Sequence, residues 1–230
     1  MKTIGLIGGM SWESTVSYYQ IINEYVKNTL GGLHSAKIIL YSVEFHEIEA
    51  CQSRGDWTRS AEILANAARK LEQAGADFIL ICTNTMHKVA PEICAAVGVP
   101  VIHIAEATAR ALLDQGVQKT ALLGTKYTMT QDFYKQKLID AGIEVLIPGP
   151  GDVELVNRVI FDELCLGQIR DKSRAEFRRI IADLADRGAQ GVILGCTEIG
   201  LLIAQQDSPV PVFDTTVIHA EAAARLALAD

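Results

Sequence analysis

The sequence AGADFILICTNT at residues 74–85 decides the fold, because the chain contains a second copy of it. This stretch aligns without a gap on RGAQGVILGCTE at residues 187–198, which places Thr83 opposite Cys196 and Cys82 opposite Gly195. In both copies a short apolar run, typical of a buried strand, ends in small polar residues. The two copies therefore predict two equivalent strand ends.

The repeat extends beyond these two stretches. KTIGLIGG near the N-terminus resembles KTALLGT in mid-chain, and VPVIHIAEATARALL resembles VPVFDTTVIHAEAAARLAL. Each matching segment is displaced by roughly 111 to 117 positions, a regularity that indicates an internal duplication.

Strand and helix patterns alternate throughout the chain. The runs TIGLIG, AKIILYS, DFILIC and VPVIHI predict buried parallel strands. The pattern SWESTVSYYQIINEYVKNTLGG predicts a helix capped by Ser11, with Val16, Tyr19 and Ile22 on one side. A second helix is predicted to begin after Asp56.

Alternating strands and helices predict an α/β fold in which each sheet is parallel and flanked by helices. Because of the duplication, we expect two pseudo-symmetric α/β domains, at residues 1–104 plus 209–230 and at residues 105–208. Ligands of such sheets bind outside the carboxyl ends of the strands. The active site is therefore predicted in the cleft between the two domains.

Composition excludes several classes of protein. The formal net charge is −7 with no basic cluster, which argues against nucleic acid and anionic membrane as partners. No apolar stretch approaches the roughly 18 to 20 residues of a membrane helix. The five cysteines form no C-x-x-C pair, which argues against a disulfide framework or structural zinc and predicts a cytoplasmic protein.

The two strand ends carry groups suited to proton transfer. A helix N-terminus after Cys196 is expected to lower the pKa of its thiol, and Thr197 and Glu198 add a hydroxyl and a carboxylate. Thr83 and the two residues after it offer uncharged donors for a carboxylate. Each feature taken alone also fits core packing or helix capping. As a pair, they suit removal and return of a proton on opposite faces of one carbon.

The motifs CTNTMH and LGCTEIG, together with GLIGGMSWEST and GTKYTM, resemble the aspartate/glutamate racemase family over essentially the whole chain. The resemblance implies an isomerase that works without pyridoxal phosphate or any other cofactor. It also implies an acidic amino acid as substrate, two cysteines as opposed bases and a homodimer.

The sequence departs from the family at one position. The family's first cysteine immediately precedes Asn-Thr, where this chain has Thr83, and Cys82 lies one residue too early. Adjacent strand residues point to opposite faces, so Cys82 is predicted to face away from the substrate. We therefore expect Cys196 to be the main base and Thr83 an opposed weak proton donor, with the L enantiomer favoured by resemblance.

Further site residues are expected from the resemblance and from their location, and no metal ligand is among them. His87 is a candidate for orienting the site. The residues predicted to bind the substrate are Met10, Ser11, Gln52, Asn84, Thr85, Thr125, Gln168, Thr197 and Glu198.

Two alternatives to a racemase of aspartate or glutamate stay open on the sequence alone. A single thiol also suits an isomerase or decarboxylase of a small dicarboxylate. Loss of the first cysteine also suits a non-catalytic protein that binds an acidic metabolite.

Overall fold

The computed structural model describes residues 1–229. The strands are β1 Ile4–Gly8, β2 Ile38–Ser42, β3 Phe78–Ile81, β4 Val101–Ile102, β5 Lys119–Gly124, β6 Glu144–Leu146, β7 Val192–Gly195 and β8 Val212–Asp214. The α-helices are α1 Trp12–Leu30, α2 Phe45–Arg54, α3 Trp57–Gln73, α4 Ala90–Ala95, α5 Ile104–Asp114, α6 Lys126–Thr130, α7 Asp132–Asp140, α8 Pro150–Asp162, α9 Asp171–Asp186, α10 Ile199–Leu202 and α11 Thr215–Leu228. Short 3-10 helices cover Thr85–Val89, Leu164–Leu166 and Gln205–Asp207.

Two parallel sheets of four strands organise the chain, with the orders β2-β1-β3-β4 and β6-β5-β7-β8. Helices connect the strands in both, so the predicted α/β fold with two parallel sheets is confirmed. The sequence pattern does not predict β6, a three-residue strand at a sheet edge with a charged first residue. Among the described residues, no helix is both long and apolar enough to cross a membrane.

The first compact unit contains Met1–Ile104 and the segment that begins at His219. Its sheet is buried on both faces, and successive residues of β3 pack into different cores. Ile79 and Ile81 pack with the inner side of α3, for example with Leu64. Phe78 and Leu80 lie in a second core on the other face, which also contains four alanines of α11: Ala220, Ala223, Ala224 and Ala227. This alternation explains why the strand is apolar throughout.

Helix α1 begins as predicted, and the face that it buries does not contain Val16 and Tyr19. Ser11 caps it by accepting a hydrogen bond from the backbone N–H of Ser14. Val16 and Tyr19, predicted to share a side of the helix with Ile22, are 55% and 56% exposed, whereas Ile22 is buried. The helix carries two apolar stripes, and the buried one lies four residues apart at its three large members, Tyr18, Ile22 and Val26.

The start of α3 agrees with the prediction. The Asp56 side chain accepts a hydrogen bond from the backbone N–H of Arg59 at 3.0 Å. Such a cap satisfies one of the N–H groups that the first helical turn leaves unpaired.

The second compact unit is Ala105–Ile218. Its core joins β5 and β7 to helices α8 and α9, through residues such as Leu123, Leu194, Val156 and Phe177. The predicted return to the first domain at residue 209 comes too early, because β8 pairs with β7 in the second sheet. An edge strand of three residues gives no sequence signal of the sheet to which it belongs.

Candidate active site

The β3 end (residues 82–87) presents Thr83, and the Cys82 thiol lies in the core. Cys82 is fully buried among Ile4, Leu6 and Tyr18. Burial raises the pKa of the Cys82 thiol far above its ordinary value, because the thiolate would lose its hydration. Thr83, at the turn that follows the strand, is partly exposed. The Cys82 side chain therefore points into the protein, whereas Thr83 reaches the surface of its unit.

His87 holds the backbone of the β3 end in place. Its Nδ1 lies 2.8 Å from the carbonyl oxygen of Thr83, and its Nε2 lies 3.1 Å from the backbone nitrogen of Ile104. Because a backbone N–H can only donate, Nε2 must accept and the ring proton must lie on Nδ1. Both ring nitrogens are thus used by a neutral imidazole. Burial, with a smaller contribution from His103, lowers the pKa of His87 well below its ordinary value.

His87 belongs to a group of three histidines in this unit that the sequence did not predict. Its ring centroid lies 4.5 Å from that of His103 and 5.8 Å from that of His219. The hydroxyl of Tyr18 donates to Nδ1 of His219 at 2.9 Å, and Nε2 of His219 donates to the carbonyl oxygen of Ile102 at 2.8 Å. Burial lowers the pKa of His219 to about 3. These histidines are widely spaced in sequence, so spacing gave no signal of the group.

The other predicted residues of the first unit are buried, and two of them have defined structural contacts. Ser11 caps α1, and the amide Nε2 of Gln52 donates to the sulfur of Met86 at 3.0 Å. The buried members of the set are Met10, Ser11, Gln52, Asn84 and Thr85.

The β7 end (residues 195–200) brings a thiol, a hydroxyl and a carboxylate together. Cys196 Sγ donates to Glu198 Oε2 at 3.0 Å, and the Thr197 hydroxyl donates to the same oxygen at 2.7 Å. All three residues are buried or nearly so. A glycine at position 195 is required, because a Cβ there would lie 2.9 Å from the carbonyl oxygen of Leu123 in β5. The close approach of β5 and β7 therefore fixes the position of the backbone that leads into Cys196.

The predicted lowering of the Cys196 pKa is wrong. Burial raises the pKa of this thiol well above its ordinary value, and the negative charge of Glu198 raises it further. The helix that was expected to stabilise a thiolate is α10, which has four residues and begins only at Ile199. A helix of one turn has little dipole, and it does not outweigh burial beside a carboxylate.

Thr125 and Gln168 lie in different settings within the second unit. Thr125 caps α6, since its hydroxyl oxygen accepts from the backbone N–H of Thr128 at 3.3 Å. Gln168 is exposed, and its side-chain oxygen accepts from Arg170 Nη2 at 2.5 Å. Thr125 is therefore a buried strand-end residue like Cys196, whereas Gln168 lies on the surface of the unit.

Asp214 is a strand-end residue that the sequence interpretation missed. It ends β8 and accepts hydrogen bonds from the backbone N–H groups of Thr216 and Val217 at 2.8 and 3.3 Å. A Cβ at Gly200 would lie 2.3 Å from its Oδ2, so the carboxylate packs directly against α10. Burial raises the pKa of Asp214. Aligning VPVIHI on VPVFDT, which places Asp214 opposite His103, is the signal that would have found it.

The two sheets define a class of protein: a duplicated parallel α/β chain with polar residues at equivalent strand ends. The family model described as Asp/Glu/Hydantoin racemase matches residues 7–223. The chain therefore belongs to the Asp/Glu/hydantoin racemase family, whose members are isomerases.

Individual relatives agree with this assignment. A structure from Yersinia pestis, described as that of a candidate Asp/Glu racemase, is 60% identical over 100% of both chains, with a TM-score of 0.94. An aspartate racemase homologue from Pyrococcus horikoshii OT3 is 41% identical over 99% of both chains, with a TM-score of 0.86. The broad specificity amino-acid racemase RacX of Bacillus subtilis (strain 168) is 24% identical over 223 residues, 95% of each chain.

Proposed function

We propose that this protein is a cofactor-independent racemase of acidic amino acids, aspartate or glutamate. The observation that carries the proposal is the difference in side chains between two equivalent strand ends. Cys196 provides the thiol at the β7 end, whereas the β3 end offers the Thr83 hydroxyl and keeps Cys82 in the core. The names of the Yersinia and Pyrococcus relatives support an acidic amino acid as the substrate.

In the proposed mechanism, Cys196 removes the α-proton and a proton returns from the opposite face. The mechanism requires Cys196 and Thr83 to face opposite sides of the same α-carbon. A threonine hydroxyl is a far weaker acid than a thiol, so its alkoxide is negligible as a base. Thr83 therefore donates a proton, directly or through a water molecule, much better than it removes one. The resemblance to the family implies that Cys196 takes the proton of the L enantiomer, so the enzyme is expected to act faster on the L than on the D enantiomer.

The remaining predicted residues are proposed to bind the substrate and to stabilise charge. Loss of an α-proton places negative charge on the adjacent carboxylate, which needs oriented donors. Asn84, Thr85 and Thr197 are proposed for this role, with Met10, Ser11 and Thr125 beside them at the strand ends. Gln52 and Gln168 are proposed to contact the distal carboxylate. We further propose that the protein acts as a homodimer in the cytoplasm.

Proton NMR in heavy water tests the proposal directly. The purified protein, without pyridoxal phosphate, is incubated with L-aspartate and D-aspartate in separate tubes, and loss of the α-proton signal is followed. Exchange much faster from L than from D supports Cys196 as the main base. Equal rates contradict the division of roles between Cys196 and Thr83. Absence of exchange from both aspartate and glutamate contradicts the function, and maleate and an arylmalonate are then tested as dicarboxylate substrates.

A further inference from the structure

The carboxylate of Glu198 is directed at the Cys196 thiol. One oxygen, Oε2, accepts both the thiol of Cys196 and the hydroxyl of Thr197, at 3.0 and 2.7 Å. Glu198 is only 4% exposed, so burial and two hydrogen bonds hold its carboxylate in one orientation. Its negative charge would repel the carboxylates of an acidic amino acid. This geometry disfavours the substrate-binding role that the sequence predicted for Glu198.

We propose that Glu198 accepts the proton of the Cys196 thiol, which leaves the sulfur free to act as a base. Glu198 is thus a positioning residue that acts through Cys196, and the inference rests on the proposed racemase function. In the first step the S–H bond breaks, the proton moves to Oε2, and the electron pair stays on the sulfur. In the second step the thiolate takes the α-proton, and the electron pair of the C–H bond stays on the substrate carbon.

The protons balance in both outcomes of the reaction. In exchange, the carbanion takes a deuteron back from the thiol after it has exchanged with heavy water, and the proton on Glu198 then returns to the sulfur. In inversion, Thr83 gives the carbanion a proton from the opposite face, directly or through a water molecule, and regains one from solvent. The sulfur keeps the α-proton as a thiol, and the proton on Glu198 leaves to solvent. Either route restores a thiol beside a carboxylate.

Proton transfer to Glu198 avoids the electrostatic cost of ionising the Cys196 thiol beside a carboxylate. Burial, followed by the charge of Glu198, raises the pKa of Cys196, so the resting residue is a thiol. Ionisation by loss of a proton to solvent would place two negative charges within 3.0 Å in a buried setting. Transfer within the pair keeps a single negative charge, because the carboxylate becomes neutral as the thiolate forms. The negative charge of Glu198 disfavours the thiolate in the resting state, and this repulsion disappears once the proton has moved to Glu198.

Two other titratable groups lie on the elements packed against the β7 end. Cys165, in the 3-10 helix Leu164–Leu166, adds to the raised pKa of Cys196. Asp214 packs against Gly200 and bonds the first turn of α11. The Glu198 carboxylate is the group that accepts a hydrogen bond from the Cys196 sulfur, at 3.0 Å.

The Glu198→Gln variant tests the proposal with two measurements. The first is the pH dependence of Cys196 alkylation by iodoacetamide between about pH 6 and 10, read from its peptide by mass spectrometry. The second is α-proton exchange from L-aspartate at neutral pH. Glutamine keeps the shape but removes the charge and the proton acceptor. We therefore expect the alkylation profile to move to lower pH while exchange falls by roughly 100-fold or more.

These opposite changes distinguish proton acceptance from a merely structural role, which would not make the thiol more reactive while exchange slows. The exposed Cys94 is the internal reference, and its alkylation should be the same in both proteins. The proposal is overturned if the alkylation profile of Cys196 stays in place, or if exchange accelerates as thiolate becomes more abundant.

A second variant covers a failure of the first to fold. Glu198→Asp keeps a carboxylate, so we expect the alkylation profile of Cys196 to stay close to that of the wild type. Its α-proton exchange should be faster than that of Glu198→Gln, and it should remain measurable if Glu198→Gln does not fold. A folded Asp variant with no exchange contradicts the proposal. If the wild type exchanges no α-proton from any acidic amino acid, the proposed function fails, and the alkylation shift alone decides whether Glu198 controls the thiol.

Discussion

The β3 and β7 ends occupy the same place in two sheets of the same strand order, yet they differ in chemistry. In the gapless alignment, Thr83 stands opposite Cys196 and Thr85 opposite Glu198. The β7 end thus has a thiol and a carboxylate, whereas the β3 end has hydroxyls backed by a buried neutral histidine. Duplication of a fold therefore does not require duplication of the acid–base groups. One end can supply the base and the other a rigid arrangement of neutral donors.

The largest expected effect comes from replacing the cysteine at each strand end, Cys196 at the β7 end and Cys82 at the β3 end. Cys196→Ser is expected to lower α-proton exchange from L-aspartate by roughly 1,000-fold or more, because a serine hydroxyl is negligible as a base. Cys82→Ala is the matched control, since it removes the neighbouring copy's thiol from the core. We expect Cys82→Ala to keep the rate of α-proton exchange within about twofold of the wild type and to lose about 1 kcal/mol of unfolding free energy. If Cys196→Ser still exchanged the α-proton at a substantial rate, the role of Cys196 would be contradicted.

Placing a thiol at the β3 end should reduce the difference between the two ends. Thr83→Cys supplies a group that can remove a proton, so exchange from D-aspartate is expected to rise roughly 10- to 100-fold. Exchange from L-aspartate should change much less, because Cys196 is untouched. The same NMR measurement with both enantiomers checks the ratio, and Cys82→Thr is the control for altered packing of β3. An unchanged ratio in a folded Thr83→Cys variant would show that Thr83 does not face the substrate.

The buried histidines predict a pH dependence of stability specific to the first unit. The folded pKa of His219 is about 3, against about 6.5 in an unfolded chain, so the unfolded state binds more protons between these values. The free energy of unfolding is therefore highest, as far as these histidines are concerned, above about pH 6.5. It falls as the pH decreases below that value, by about 1.4 kcal/mol per pH unit for each such histidine. His87 contributes in the same direction, because its pKa is also lowered.

Urea unfolding of His219→Gln and His87→Gln measures this slope between about pH 6.5 and 5. Each variant is expected to lose one histidine's share of the slope, and also to be less stable than the wild type at pH 7. His34→Gln is the control, since His34 is exposed and should leave the slope unchanged. Equal slopes in all four proteins would mean that neither buried histidine resists protonation.

Sequence alone predicted the features that depend on local pattern and on the repeat. The strands β1, β3 and β7 follow from apolar runs, and the inward direction of Cys82 follows from alternation along β3. The interpretation failed where tertiary contacts decide. Periodicity does not rank the two apolar stripes on α1, and tertiary packing buries the one that contains Tyr18, Ile22 and Val26.

The pKa of Cys196 was also mispredicted, because neither the brevity of α10 nor the orientation of Glu198 can be seen in GCTEIG. The contact of His87 with His103 and His219 joins parts of the chain that are distant in sequence. Interactions of this kind depend on how the helices pack, and a local motif does not specify that packing.

The smallest predicted effect concerns Gly200, which stands opposite His87 in the repeat, as Asp214 stands opposite His103. At the β3 end this pair is two imidazoles in contact, with their planes tilted by 57°, whereas at the β7 end Asp214 fills the space beside a glycine. Gly200→Ala should displace the Asp214 carboxylate from the N–H groups of Thr216 and Val217. We expect a loss of about 1 kcal/mol, the usual cost of losing a helix cap, measured by thermal unfolding.

Gly151→Ala is the control of opposite sign. Gly151 lies in α8, and a Cβ there would meet no atom within 4 Å, so alanine should stabilise the helix by about 0.5 to 1 kcal/mol. If Gly200→Ala were equally stabilising, the Asp214 carboxylate would not need the space beside α10. The packing difference between the two strand ends would then carry no energetic weight, and only their chemical difference would remain.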